Sequence, residues 1–172
     1  MTNTLTSTHA QMLAIWQQHT YAEFVLKNAE AALETMSDNP YVLLVPAGTG
    51  GTGRAGVLDF YKHSFLPNIP ADLALIPVSQ IFSDTQIVEE AVARFTHTIA
   101  MDWMLPGLPP TNKVVEFVLV GIIRIENGKV ANEHLYWDQA SVLSQLGVLD
   151  HPVAAAGINS AAKLLSLTAR PS

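Results

Sequence analysis

The sequence predicts an α+β fold in which a strongly curved antiparallel sheet wraps around N-terminal helices. Three observations predict it. Helical periodicity is concentrated in the first third of the chain, long β-branched runs broken by turn residues follow from about residue 73, and the βαβ alternation that a parallel sheet requires is missing.

Between His9 and Met36 no Gly or Pro occurs, and Ile15, His19, Ala22, Leu26 and Ala29 recur at three- and four-residue spacing. This spacing predicts a helix, bent near Thr20. Ser37-Asp38-Asn39-Pro40 ends it, because the residue before a proline is driven out of helical geometry and the other three favour turns. The apolar run YVLLV from Tyr41 reads as a short strand, Ala47 to Gly56 as a glycine-rich loop, and Val57 to Phe65 as a helix stopped before Pro67. Leu73 to Phe82, Ile87 to Met104 and Val114 to Glu126 read as long strands. Asn127-Gly128 is a hairpin signal that returns the chain along Val130 to Trp137. Asp138 to Leu146 fits a short helix stopped at Gly147, and Ile158 to Leu167 a final one.

The chain has 172 residues, one domain's worth of sequence. Apolar residues make up 49% and charged residues 14%, against roughly 25% charged in an average soluble domain. Such a chain has apolar surface to hide in a cavity or a subunit interface. Nine basic and 15 acidic residues give a formal charge of −6, which repels phosphate backbones and anionic lipid, so neither nucleic acid nor membrane is expected as a partner. The absence of cysteine excludes disulfides, thiolate metal sites and cysteine nucleophiles. The first residues, MTNTLTSTHAQ, carry no basic start or apolar stretch, and no apolar run approaches the ~18 residues of a membrane span. The expectation is a soluble, unprocessed, cytoplasmic protein.

Gly48-Thr49-Gly50-Gly51-Thr52-Gly53 satisfies G-x-G-x-x-G between a strand and a helix, the setting of a dinucleotide-binding turn. The downstream chain lacks the crossover helices of such a fold. A mobile loop rimming a cleft, with glycines for positive φ, is the alternative. On the last long strand, period-two alternation puts Asn132, His134, Tyr136 and Asp138 on one face and Ala131, Glu133, Leu135 and Trp137 on the other. If the first face lines the concave interior, Asp138 becomes a desolvated general acid or base with His134 beside it. If it faces solvent, Asp138 caps the following helix. Among Glu89, Glu90, Arg94, His97 and Asp102, strict alternation groups Glu89 with Phe95 and His97, and His97 is the best pocket candidate. A site of His97, His134 and a carboxylate would suit a metal, but no HExxH or HxH spacing supports it, and no metal is expected. No GxSxG elbow occurs. Trp16, His19, Tyr21 and Phe24 are placed to line a cavity under the sheet, and a Tyr21 phenol could hydrogen-bond a developing enolate.

The segments DNPYVLLVPAGTGGTG, RFTHTIAMDWMLPGLPPTNK and IENGKVANEHLYWDQASVLSQLGVLD together resemble the SnoaL-like, polyketide-cyclase-like branch of the nuclear transport factor 2-like superfamily. The likeness covers about residues 10 to 150. Its most specific part is a dGK(I/V)xxEhxxxD strand followed by a helix ending in QLG, here Asn127 to Gly147. The resemblance implies a cone-shaped, cystatin-like α+β barrel with an apolar pocket at its open end, spanning the chain as one domain with a helical extension over 151–172. It also implies a homodimer that works without a cofactor, like ketosteroid isomerase and the aldol-type cyclases. It assigns the acid/base to Asp138, with His134 where a tryptophan often stands. Phe95, His97, Asp102, Trp103 and Pro106 to Thr111 match a second stretch, FTHxxxMDWxLPGxxPT, found in other superfamily members. The expected activity is proton transfer on a small hydrophobic carbonyl or lactone-like compound, as in an isomerase or aldol-type cyclase. Asp138, His134 and His97 would be catalytic, with Tyr136, Tyr21, Trp16, His19, Trp103, Asp102 and Phe95 around the substrate. A cofactorless hydrolase or hydratase, or a non-catalytic ligand-binding or dimerisation module, is the alternative.

Overall fold

The computed structural model describes residues 6–149 and 160–168. Helix α1 (Ser7–Phe24) opens on a Thr6 cap whose hydroxyl accepts the His9 amide at 3.2 Å. It continues unbroken past Thr20, whose hydroxyl bonds back to the Trp16 carbonyl. The break comes later: Lys27 takes a left-handed φ of 48°, and Asn28 caps a separate short helix, α2 (Ala29–Glu34). The continuous periodicity to Met36 therefore covers two helices, divided by an Asn cap that competes with the helix for its own backbone.

Strand β1 (Met36–Leu44) begins before the expected turn. Ser37 to Pro40 lie inside it as an irregularity, since Met36 pairs with Val130 but Tyr41 already with Asn132. The glycine-rich segment is not a loose rim. Thr49–Thr52 form β2, antiparallel to β1, and lead into α3 (Gly53–Asp59). Two glycines are required there by close approach. A Cβ on Gly50 would overlap the Val42 carbonyl oxygen, and one on Gly51 would overlap that of Gly56. Arg54, at the start of α3, donates to the carbonyls of Leu33, Met36 and Ser37 and fastens the hairpin to the end of α2. These residues serve packing, and none of the six residues of the glycine pattern lines the main cavity.

After α3 the chain widens into a π-helical turn, Phe60–Phe65, closed by a bond from the Leu66 amide to the Tyr61 carbonyl, and continues as a 3₁₀ turn, Leu66–Asn68. Pro67 has no N–H to give, and the Asn68 side-chain amide donates instead to the carbonyls of Ser64 and His63. Strands β3 (Ala74–Phe82), β4 (Gln86–Thr96), β5 (Val114–Glu126) and β6 (Lys129–Trp137) complete the sheet, the last two joined by Asn127-Gly128 with φ of 50° and 71°. Strand β4 ends at Thr96, short of the predicted Met104, and residues 97–113 form an irregular excursion. Helix α4 (Gln139–Leu146) stops at left-handed Gly147, and α5 (Ser160–Thr168) contacts β5.

The six strands form one curved, unclosed sheet in the order β2-β1-β6-β5-β4-β3. All neighbours are antiparallel except β1 and β6, which run parallel. Helices α1 to α4 and the π turn pack on its inner face, where Val42, Leu44, Val57, Phe60, Ile87, Phe95, Val115, Ile123 and Val142 belong to one buried apolar cluster. No helix among the described residues is long and apolar enough to cross a membrane.

Substituting Gly51→Ala forces a methyl into backbone and is expected to cost about 1–3 kcal/mol. At Gly48, where φ is +66° and the Cβ position is open, alanine costs only the left-handed backbone, about 1 kcal/mol. Urea unfolding of both variants, with m unchanged, is the check.

Candidate active site

The curvature of the sheet leaves a cavity of about 560 Å³ between α1, the π turn and the inner sheet face. Its wall is mainly apolar, with Phe24, Phe60, Phe65, Leu75, Leu119 and Leu135 among its residues. At its floor stand Glu23 from α1, Tyr61 from the π turn and Glu133 from β6, gathered on His19. His19 and Glu23 are four residues apart and share one face of α1, while Glu133 points inward from β6 beside Val42 of β1.

The imidazole is fully enclosed, and the Glu23 and Glu133 side chains are 5% and 4% exposed. Thr35 donates its only hydroxyl proton to the Ala32 carbonyl at 2.6 Å, so toward His19 Nδ1, also at 2.6 Å, it must accept. Nδ1 therefore carries a proton. Nε2 faces Glu133 Oε1 at 3.0 Å, Glu23 Oε1 at 3.3 Å and the Tyr61 hydroxyl at 3.2 Å. Tyr61 in turn donates to Glu133 Oε1 at 3.3 Å. Burial alone would drive the ring toward its neutral form, but Glu23 and Glu133 outweigh it and push its pKa up to about 10. Burial raises the Glu23 carboxyl above the ordinary range; His19 pulls it down and Glu133 adds to the rise. Burial and the two carboxylates also lift the Tyr61 phenol well above its usual value, which keeps it a donor.

Of the residues expected from the sequence, the structure brings three to this cavity. Trp16 and Tyr21 line it, and His19 lies directly behind its floor. The others lie elsewhere. The sidedness of β6 is the reverse of the one that would make Asp138 a buried acid: Glu133 and Leu135 face the cavity, whereas His134, Tyr136 and Asp138 share the outer side. Asp138 is exposed and caps α4, accepting the Ser141 amide at 3.1 Å. His134 bonds the Tyr41 hydroxyl at 2.8 Å on the outer face, and Tyr136 is 40% exposed. His97 is buried in the excursion after β4, where Nδ1 meets Thr111; burial lowers its pKa, and its Nε2 has no hydrogen-bond partner among the described residues. Asp102 accepts the Gly107 amide inside the same excursion. Trp103 donates to the Asn68 carbonyl and meets Phe65 edge-on from behind the cavity wall. Phe95 packs edge-on against Phe117 in the core.

Glu23, Tyr61 and Glu133 are the site residues that sequence reasoning passed over. Two of them carried a signal. Glu133 is the glutamate of the dGK(I/V)xxEhxxxD pattern, and Glu23 stands one helical turn after His19. Tyr61 carried none, because the π turn that aims it breaks the spacing on which a helical reading depends. Those carboxylates and His19 also form the one group of metal-type donors among the described residues, with ligand atoms within 4.8 Å of one another. Nε2 would be the nitrogen offered to a divalent ion, since Nδ1–H is committed to Thr35. Its 3.0 Å separation from Glu133 is equally that of an ordinary N–H···O hydrogen bond, with Glu23 slightly farther at 3.3 Å.

The folded state holds the His19 proton more tightly than the unfolded chain, whose histidine titrates near 6.5. The stability this gives is complete below pH 6.5 and is lost as pH rises toward 10. Raised Glu23 acts in the same direction from its ordinary value of 4.5 upward. The melting temperature is therefore expected to fall across pH 6.5–10, and long-range ¹H–¹⁵N spectra should show one imidazole, His19, still doubly protonated at pH 8.

A family model described as SnoaL-like polyketide cyclase matches residues 16–146. No curated protein matches the chain in sequence. Among solved structures, a candidate SnoaL-like polyketide cyclase from a Jannaschia species superposes with a TM-score of 0.68 at 14% identity, over 86% of this chain and 99% of that one. IdmH, a candidate polyketide cyclase from Streptomyces antibioticus, gives 0.60 at 22% identity, over 80% and 99%. A hypothetical protein with a ketosteroid isomerase-like fold from Catenulispora acidiphila, in complex with trimethylamine, gives 0.58 at 14%, over 78% and 93%. These likenesses show the fold, and the family model, matching most of the length and including both Glu23 and Glu133, shows that the chain belongs to the SnoaL-like polyketide cyclase family.

Proposed function

We propose that the cavity floor carries out acid/base proton transfer on a small hydrophobic carbonyl compound, in an isomerisation or an aldol-type ring closure. The observation that carries this reading is the His19 imidazolium held between two carboxylates at the end of an apolar cavity. Glu133 is the base. Its Oε1 is held by His19 and Tyr61, and the residue lines the cavity. Glu23, whose carboxyl is raised by burial, is the acid that supplies a proton to the substrate oxygen. A carbon-bound proton next to the carbonyl passes to Glu133, and the oxygen takes the Glu23 proton to give an enol. The enol carbon then recovers a proton, or attacks a second carbonyl within the same molecule. His19 acts as a positioning residue that stays charged and compensates the carboxylate. The mainly apolar wall lowers the local dielectric and so strengthens each of these interactions.

Exchange of the α-protons of 2-tetralone in deuterium oxide, followed by NMR, tests this. The chain is expected to accelerate exchange, and Glu133→Gln to slow it by about 10²–10⁴-fold. Asp138→Ala is expected to keep the rate and lose about 1 kcal/mol of stability with its helix cap. Exchange indifferent to Glu133→Gln and abolished by Asp138→Ala would return the chemistry to the end of β6.

The family likeness also supports a second copy of the chain as partner. The outer sheet face, where Leu43, Ile76, Ile81 and Tyr136 stand exposed, is the surface proposed for it. Sedimentation equilibrium is expected to give twice the chain mass, reduced to a single chain by Ile81→Lys.

A further inference from the structure

The cavity holds a carboxylate that proton transfer at the floor does not use. Glu89 lies on β4 and lines the wall. Its two oxygens are fixed separately, Oε2 by the Trp16 indole N–H at 3.0 Å and Oε1 by the Gln80 amide at 2.6 Å. Both donors are neutral. Among the described residues no Lys, Arg or His comes within ion-pair distance of Glu89, and no Lys or Arg lines the cavity. Arg94, the basic residue on the same strand, pairs across from Ala74 and Glu116 with its side chain exposed on the outer side. Glu89 is thus a hydrogen-bonded negative charge on the wall of an apolar hollow, with no counter-ion among the described residues.

The rest of the lining has the same sign. Glu23 and Glu133 share a single imidazolium, so the cavity stays net negative whether or not Glu23 carries a proton. A carboxylate or phosphate on a ligand would enter against this field, with only hydrogen-bond donors to receive it. A cation would be attracted. Trp16, whose N–H bonds Glu89, contributes an aromatic wall within reach of the same charge, and Tyr21 and Phe24 lie on the same helix around the opening.

We propose that the Glu89–Trp16 corner of the cavity binds a protonated amine, making the ligand a hydrophobic molecule with an ammonium group at one end. This names the substrate class of the site above, and it rests on that reading for its chemistry but not for its binding. The register supports a ligand that spans both ends. Glu89 pairs with Gly121, and Gly121 with Leu135, two residues along β6 from Glu133. Strand spacing and rise put the Glu89 and Glu133 backbones roughly 10–12 Å apart. Gly121, between them in the middle of β5, has no side chain to divide the cavity. A Cβ there would come within 3.2 Å of Ile123 Cδ1 and 3.3 Å of Leu135 Cδ2.

The test is calorimetric binding of three probes of one shape: 2-(1-naphthyl)ethylamine, 2-(1-naphthyl)ethanol and 1-naphthylacetate, at pH 7. The amine is expected to bind about ten-fold more tightly than the alcohol, and the acid most weakly. Glu89→Gln is expected to bring the amine close to the alcohol without weakening the alcohol, and Glu89→Asp, which keeps the charge, to retain most of the preference. Circular dichroism confirms that each variant is folded; should Glu89→Gln not fold, the order of the three probes on the unaltered chain decides. Amine binding no tighter than acid binding, no amine binding at millimolar concentration, or an amine preference unchanged in Glu89→Gln would overturn the proposal. Glu133→Gln separates the two readings, because it is expected to lose proton exchange while keeping the amine preference.

Discussion

One buried cation organises the inner half of this protein. His19 has no access to water, and it is surrounded by two carboxylates, a phenol and a threonine hydroxyl that come from α1, β6, the π turn and the residue after α2. Removing any one of these leaves an uncompensated polar group in a low-dielectric interior, a larger penalty than the net worth of the hydrogen bond lost. The cluster therefore fixes how the first helix lies against the last strand. It also makes the polar end of the cavity, because Glu23 and Glu133, which need the imidazole, are the charged groups that meet the apolar wall there.

Much of the fold could be read from residue pattern alone. The Asn127-Gly128 turn, the span of β5 and the Gly147 stop of α4 all rest on local chemistry that tertiary contacts do not override: two left-handed φ angles, an alternating β-branched run and a glycine after an apolar turn. The failures have equally local causes. Ser37 to Pro40 look like a terminator, but a strand can absorb them as an irregularity when a parallel neighbour continues past it. The glycines from 48 to 53 have the spacing of a phosphate turn, yet two of them are there because backbones pass too closely for a side chain.

The site was less legible than the fold, for a geometric reason. Alternation along β6 sorts its residues correctly into two sets, but says nothing about which set faces the helices. That choice is made by the partner elements: Glu133 sits across from His19, and only the fold brings residues so far apart in sequence together. Asp138, His134 and His97 each have the chemistry of a catalytic group, and each instead finishes a piece of backbone or pairs with a neighbour on the outer surface or in the excursion after β4. Trp16, Tyr21 and His19 were legible because one amphipathic helix carried all three.

The π-helical turn from Phe60 to Phe65 bears on how this family could diversify. A turn of this kind differs from an α-helical one by a single inserted residue, and each residue in a helix rotates the downstream chain by about 100°. Tyr61 owes its aim at Glu133 to that extra residue, while Asn68 repairs the ladder downstream. A one-codon deletion here would rotate the phenol relative to the carboxylate it faces, so the floor of the cavity can be rearranged by an indel that lies outside the sheet.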